Sequence, residues 1–149
     1  MSTTYDIRPL SEGDRPHWGG LWERYLAFYG ATRPKQQYDL TFARYLDPGR
    51  TDMAAWMAWD GAKPIGLVHA IAHAHGWEEA PVTYLQDLFT VEGARGRGVG
   101  RALIQTVYDD ADAAGRPKVY WLTQIGNAKA RALYDKVAQP TDFMKYSRV

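Results

Sequence analysis

The sequence predicts a single α/β domain built on a mixed sheet, and three observations carry that prediction. Strand-like runs and longer runs of helical period follow one another in the order β α α β β β α β α β. The strands after the opening helices are joined by short turns, which makes them antiparallel, and the later ones are separated by helices, which makes them parallel. The 149 residues, 46% apolar and 23% charged, suffice for one sizeable core and are too few for two ordinary domains. One domain over 1–149 is expected.

Residues 3–9 read as the first strand, with Tyr5 and Ile7 alternating against polar neighbours. Residues 11–14 are a helix start, and Pro16 suits a first turn. That helix is expected to run to about Tyr29 and stop at Gly30. Trp18, Leu21, Trp22, Tyr25 and Tyr29 recur along it at three- and four-residue steps, so they share one face. A second helix over 36–46 repeats the pattern with Tyr38, Phe42, Tyr45 and Leu46, then ends at Asp47-Pro48-Gly49. Strands follow at 53–59, after which Asp60-Gly61 marks a hairpin, and at 64–75. A turn over 76–81 leads to a central strand at 82–91. Val99, Leu103, Val107, Ala111 and Ala114 form the buried stripe of the next helix, which stops at Gly115 before Pro117. Residues 118–123 make a buried-looking strand, 127–137 a short helix and 143–148 a last strand.

Composition excludes several functions. A net charge of +1 gives no push towards nucleic acid or a membrane surface. The absence of cysteine removes disulfides, thiolate metal sites and a thiol nucleophile, and it fits a reducing compartment. The opening residues lack a signal-peptide core and no run approaches membrane-span length, so a cytoplasmic protein is expected. His73-x-His75 has no third ligand spaced to complete a metal site, and none is expected.

The most informative stretch is 84–100, YLQDLFTVEGARGRGVG. A strand, a glycine-rich turn and a helix start in that order make an anion site. The first helical turn leaves N–H groups without partners, the helix dipole adds positive charge, and glycines remove the Cβ atoms that would hold a phosphate away. The turn lacks the Lys-Ser/Thr of a P-loop and the G-x-G-x-x-G of a dinucleotide fold.

Arg95, Gly98 and Gly100 instead fill the pattern Arg/Gln-x-x-Gly-x-Gly/Ala, and the stretch resembles the pyrophosphate motif of the GNAT superfamily of N-acetyltransferases. A second block, 123–138, carries Asn127 and Tyr134 where that family holds an asparagine and, at the end of a Leu-Tyr or Phe-Tyr pair, a tyrosine. Seven residues are close to two helical turns, so both side chains point the same way. The two blocks are most similar to fungal histone/polyamine and spermidine/spermine acetyltransferases. Read alone, Tyr134 would be a core tyrosine, Asn127 a helix N-cap and the arginines a solvated loop. The glycine turn and the second block together favour the functional readings.

The resemblance implies a fold whose sheet splays between strands 82–91 and 118–123, and transfer of an acetyl group from acetyl-CoA to a primary amine. It implies a site in which Arg95, Gly96, Arg97, Gly98, Val99, Gly100 and Arg101 hold the pyrophosphate. Backbone groups of Leu88, Phe89 and Thr90 would take the pantetheine arm, and the Leu88 N–H the thioester carbonyl. Asn127 would hold the cofactor or orient its loop, and Tyr134 would be the general acid. Trp22, Tyr25, Tyr29, Gln86, Asp87 and His73 are candidate acceptor contacts. The general base stays open. Gln86 occupies the place of the glutamate in the spermidine-type relatives and cannot serve. Asp87 should face the opposite way along the strand, and His69, His73 and His75 share one face of the preceding strand. No dedicated base is the remaining option. Acceptors in such a family are small amines, polyamines, amino acids or lysine side chains, and a homodimer is expected. The main alternative, which Gln86 favours, is a non-catalytic acetyl-CoA-binding domain.

Overall fold

The computed structural model describes residues 4–149. Its elements are β1 (Asp6–Pro9), α1 (Arg15–Phe28), α2 (Lys35–Leu46), β2 (Met53–Asp60), β3 (Lys63–His73), β4 (Val82–Thr90), α3 (Val99–Ala113), β5 (Val119–Tyr120) and α4 (Ala128–Val137). The five strands form one sheet in sequence order. β1 to β4 are antiparallel to their neighbours and β4–β5 is parallel, as the connection lengths require.

Local chemistry sets the boundaries. Ser11 and Asp14 close a capping box before α1, with the Asp14 carboxylate accepting from the Ser11 N–H at 2.9 Å. The start of the expected first strand, residue 3, lies outside the described residues. The third strand stops at His73, so His75 sits in the following loop and not on the strand face. The last expected strand, 143–148, is absent, because this segment has no ladder partner among the described residues.

The two faces of the sheet are covered differently. Trp18, Trp22 and Phe42 of α1 and α2 pack over the face that carries His69. Val99 and Leu103 of α3 press on Gly66 on the other face, and α4 packs beside α3, with the Tyr108 hydroxyl donating to the Val137 carbonyl. Trp18, Met57, Leu67, Val68 and Leu103 are fully buried at the centre. Burying side chains of this size contributes roughly 1.5–3 kcal/mol each.

Two irregularities of β4 create the site. β4 pairs with β5 only at Thr83↔Val119 and Tyr84↔Tyr120, so beyond Tyr84 its edge is open. A bulge opposite His69 leaves Gln86 as an extra residue, since His69 pairs with Asp87 and Ala70 with Leu85. The bulge shifts the side-chain alternation, and Asp87 joins Tyr84 and His69 on the face covered by α1.

Candidate active site

The open edge of β4 forms the floor of a cleft of about 380 Å³. The end of α1 supplies Tyr25, Phe28 and Tyr29; the turn into α3 supplies Ala94 to Arg101 except Arg97; α4 supplies Asn127, Lys129, Ala130, Leu133 and Tyr134. Leu88, Phe89 and Thr90 complete it. Val91 N–H donates to the Ile65 carbonyl on β3 at 3.0 Å. In an antiparallel ladder the alternate residues Phe89 and Asp87 therefore also face β3, and Leu88 and Thr90 turn their N–H and C=O groups into the cleft.

The glycine turn is built for close approach of an anion. Gly96 and Gly98 have φ of 83° and 77°, a region that favours glycine, and Gly98 caps α3. A Cβ on Gly100 would stand 3.3 Å from Leu133 Cδ2 and 3.6 Å from Thr90 Oγ1, inside the cleft. Arg95 and Arg101 line the mouth, are exposed and form no ion pair among the described residues. Free cations, unpartnered first-turn N–H groups and absent Cβ atoms fit a pyrophosphate. Arg97 is a departure. Its guanidinium bonds Asp60 at 2.9 Å and the Thr4 carbonyl, and lies over the Tyr5 ring, so it ties the turn to the end of β2 and to the residues just before β1.

Tyr134 stands half-buried in the cleft wall, edge-on to Trp121. Burial, reinforced by Tyr29, pushes its phenol up to about 12. The proton therefore stays on the oxygen throughout the neutral range. Asn127 caps α4, its Oδ1 accepting from the Ala130 N–H at 3.5 Å.

The acceptor candidates separate. Tyr25 and Tyr29 line the cleft. Trp22 is buried behind them and donates its indole N–H to Asp87 at 3.3 Å. Asp87, also buried, accepts from Tyr25 and from His69 Nδ1 at 2.8 Å. Burial pushes the Asp87 carboxyl up, but the donors His69, Tyr25 and Trp22 outweigh it and hold the group below the usual carboxylate range. Burial and then the Asp87 charge push the Tyr25 phenol far up. Gln86 is exposed at the bulge and does not line the cleft.

The histidines expected as possible bases are engaged elsewhere. His69 is 1% exposed and has both ring nitrogens committed, because the Trp18 indole, which can only donate, bonds Nε2 at 2.9 Å. The ring proton sits on Nδ1, and His69 buttresses Asp87. His73 bonds the Tyr120 hydroxyl at 2.8 Å, and His75 Nδ1 accepts from the Trp77 N–H, both outside the cleft. Sequence reasoning missed Phe28, Ala94, Lys129, Ala130 and Leu133 as cleft residues. Lys129, two positions after Asn127, was legible as a cation beside an anion site; the others carry no local signal.

Comparison with known proteins agrees with this geometry. Residues 18–138 match the Acetyltransferase (GNAT) family. The chain is 38% identical over 146 residues to the D-amino-acid N-acetyltransferase HPA3 of Saccharomyces cerevisiae, covering 95% of this chain and 89% of the relative. In fold it is similar to AAC(6')-Iy in complex with the bisubstrate analogue CoA-S-monomethyl-acetylneamine, with a TM-score of 0.85, 21% identity and 98% of each chain covered. It is also similar to a ribosomal-protein-alanine N-acetyltransferase of Brucella melitensis, with a TM-score of 0.80, 20% identity and 98% and 99% coverage. A glycine turn at a helix start, an open strand edge and a match over most of the chain lead to one conclusion: the chain belongs to the GNAT family and is an acetyl-CoA-dependent N-acetyltransferase.

Proposed function

We propose that the chain acetylates the primary amine of a small molecule, by direct attack of the amine on acetyl-CoA within a ternary complex. The observation that carries the reading is that one cleft unites the glycine turn, the Leu88–Thr90 edge, Tyr134 and Tyr25, behind which Asp87 is buried. Acetyl-CoA supplies an activated thioester. The turn from Arg95 to Arg101, through its backbone and the Arg95 and Arg101 side chains, holds the pyrophosphate. The open N–H and C=O groups of Leu88 and Thr90 bind the pantetheine arm as an added strand would, and the Leu88 N–H stabilises the charge that develops on the carbonyl oxygen. Tyr134 gives its proton to the leaving sulfur. With no cysteine in the chain, no protein thioester forms on the way.

Asp87 serves as an electrostatic anchor. Its charge is buried behind Tyr25, which lines the cleft, and favours a cationic amine there. A carboxylate held below its usual range is a poor proton acceptor, so Asp87 is not the base. With Gln86 on the surface and His69 locked, the amine reacts from its free-base fraction and its proton leaves through the open cleft. The 38% relative acts on D-amino acids, so free D-amino acids are the first acceptors to offer.

The test is thiol release from acetyl-CoA with D- and L-amino acids, polyamines, aminoglycosides and lysine peptides. Release that depends on small free amines is expected. Release with lysine peptides alone, or tight acetyl-CoA binding without release for any amine, overturns the proposal.

A further inference from the structure

The proposed reaction leaves the acceptor one direction in which to extend. Along β4 the pantetheine arm takes Leu88 to Thr90 and the glycine turn lies beyond, so the cofactor occupies the carboxyl end of the strand. The amine meets Tyr25, in front of the buried Asp87. The rest of the acceptor is left with the opposite direction, toward the start of β4. There Tyr84 stands on the Asp87 face. His69 pairs with Asp87 and Ile71 with Tyr84, so the two lie about two ladder steps apart, roughly 6–7 Å.

Tyr84 is the last residue of β4 to pair with β5, opposite Tyr120, and the two rings stack at 4.9 Å with 18° between their planes. His73 fixes the outer ring. Its Nε2 bonds the Tyr120 hydroxyl at 2.8 Å, and its ring stands edge-on to Tyr120. Burial, then Tyr120, then Asp87 push the Tyr84 phenol up, so that hydroxyl feels the Asp87 charge. Tyr120 still leaves 42% of its surface open. It shares a groove with Tyr134, and Tyr134 lines the cleft too. A rigid aromatic pair therefore stands where β4 and β5 begin to part, beside the reacting centre. Neither ring has a part in the reaction as proposed.

We infer, resting on the reaction proposed above, that Tyr84 and Tyr120 form a shelf for an aromatic group of the acceptor, so that the preferred amines carry a flat ring close to the reacting nitrogen. An aromatic amino acid is the plainest acceptor of this class. A ring laid against the pair gains from the area it covers and from alignment of ring quadrupoles. The pair is already held by stacking and by His73, so little ordering opposes binding.

A cation over the rings is the competing occupant, as a polyamine would supply. The shelf offers it no carboxylate, since its members are Tyr84, Tyr120 and His73. A hollow of about 960 Å³ adjoins Tyr120, and its acids are Glu78 and Asp112. Glu78 is paired with Lys118, and Asp112 belongs to α3, on the other face of the sheet. An uncharged ring is therefore favoured.

The test is kcat/KM for D-phenylalanine, D-alanine and spermidine, read as thiol release from acetyl-CoA. The two amino acids carry the same ammonium and carboxylate, so their ratio reads the side chain alone. D-phenylalanine should exceed D-alanine about tenfold or more, the size expected for covering a ring on a half-open shelf. In Tyr120→Ala that ratio should fall about fivefold or more. In Tyr120→Phe, which keeps the ring and loses the bond to His73, it should stay within about threefold of wild type. Melting curves check that both variants fold, and the wild-type ratio alone can refute the inference should Tyr120→Ala not fold. Equal values for the two amino acids, or a ratio that Tyr120→Ala leaves unmoved, overturn the inference. Spermidine preferred to D-phenylalanine overturns it too, in favour of a cation on the shelf. These results leave the proposed reaction standing. Release with no amine at all overturns the reaction and the shelf together.

Discussion

Replacing Tyr134 by Phe removes one oxygen from the cleft wall and leaves the ring against Trp121. A positioned acid is worth about 10² to 10⁴ in rate, which is roughly 2.7–5.4 kcal/mol at the transition state. The structure adds a condition on pH. Burial pushes the Tyr134 phenol up to about 12. At pH 10 roughly one molecule in a hundred has then lost the proton, against half for an ordinary tyrosine. The amine side titrates the other way, because its free-base fraction rises about tenfold per pH unit below its own pKa. The kcat/KM for the amine should therefore climb with unit slope, level off near the acceptor's pKa and show no descending limb by pH 10. In Tyr134→Phe the profile should keep its shape and drop by a factor of about 10² or more. Initial rates of thiol release between pH 6 and pH 10 measure both. A variant within about threefold of wild type at every pH refutes the acid assignment. A wild-type limb descending below pH 10 that vanishes in the variant refutes the raised phenol.

Other positions give separate tests. Gly100→Ala places a methyl in the cleft against Leu133 and Thr90; the melting temperature should hold or rise slightly, since Ala favours a helix, while the KM for acetyl-CoA rises about tenfold or more. Asp87→Asn should cost about 1–3 kcal/mol, because the new amide N–H₂ faces donors, and should raise the amine KM about 5- to 150-fold, as calorimetry and kinetics would show. The folded Asp87 carboxyl is depressed, so its contribution to stability is present above the ordinary carboxylate range near 3.9 and lost as pH falls through its folded value. The gap between wild type and Asp87→Asn should close in acid. The Tyr25, Tyr45 and Tyr134 phenols are all raised, chiefly by burial, so their contribution is complete below pH 10 and lost as pH rises above it. Denaturant melts should show stability falling steeply beyond pH 10.

The parts of the site legible in the sequence are those fixed by local chemistry. The positive-φ turn at Gly96 and Gly98, the cap at Asn127 and the two-turn step to Tyr134 each depend on a few neighbouring residues. The bulge at Gln86 depends on the pairing of β3 with β4, and no local signal announces it. That bulge places Asp87 on the His69 face. His69 looked like a candidate base because its partners, Trp18 and Asp87, are 51 and 18 residues away. Arg97 read as an anion ligand for the same reason, since Asp60 lies 37 residues off. The strand expected at 118–123 shrinks to Val119–Tyr120 because β4 and β5 diverge after Tyr84. Residues 143–148 have the pattern of a strand, but pattern alone supplies no ladder partner.

The central claim is that amine and acetyl-CoA occupy the cleft together and the acetyl group passes directly between them. Initial rates over a grid of acetyl-CoA and D-amino-acid concentrations test it most directly. Double-reciprocal lines that intersect are the predicted result, since both substrates must be bound before the acetyl group moves. Parallel lines, with label exchanging between acetyl-CoA and CoA in the absence of amine, would mean that the protein carries the acetyl group itself, and would contradict the account.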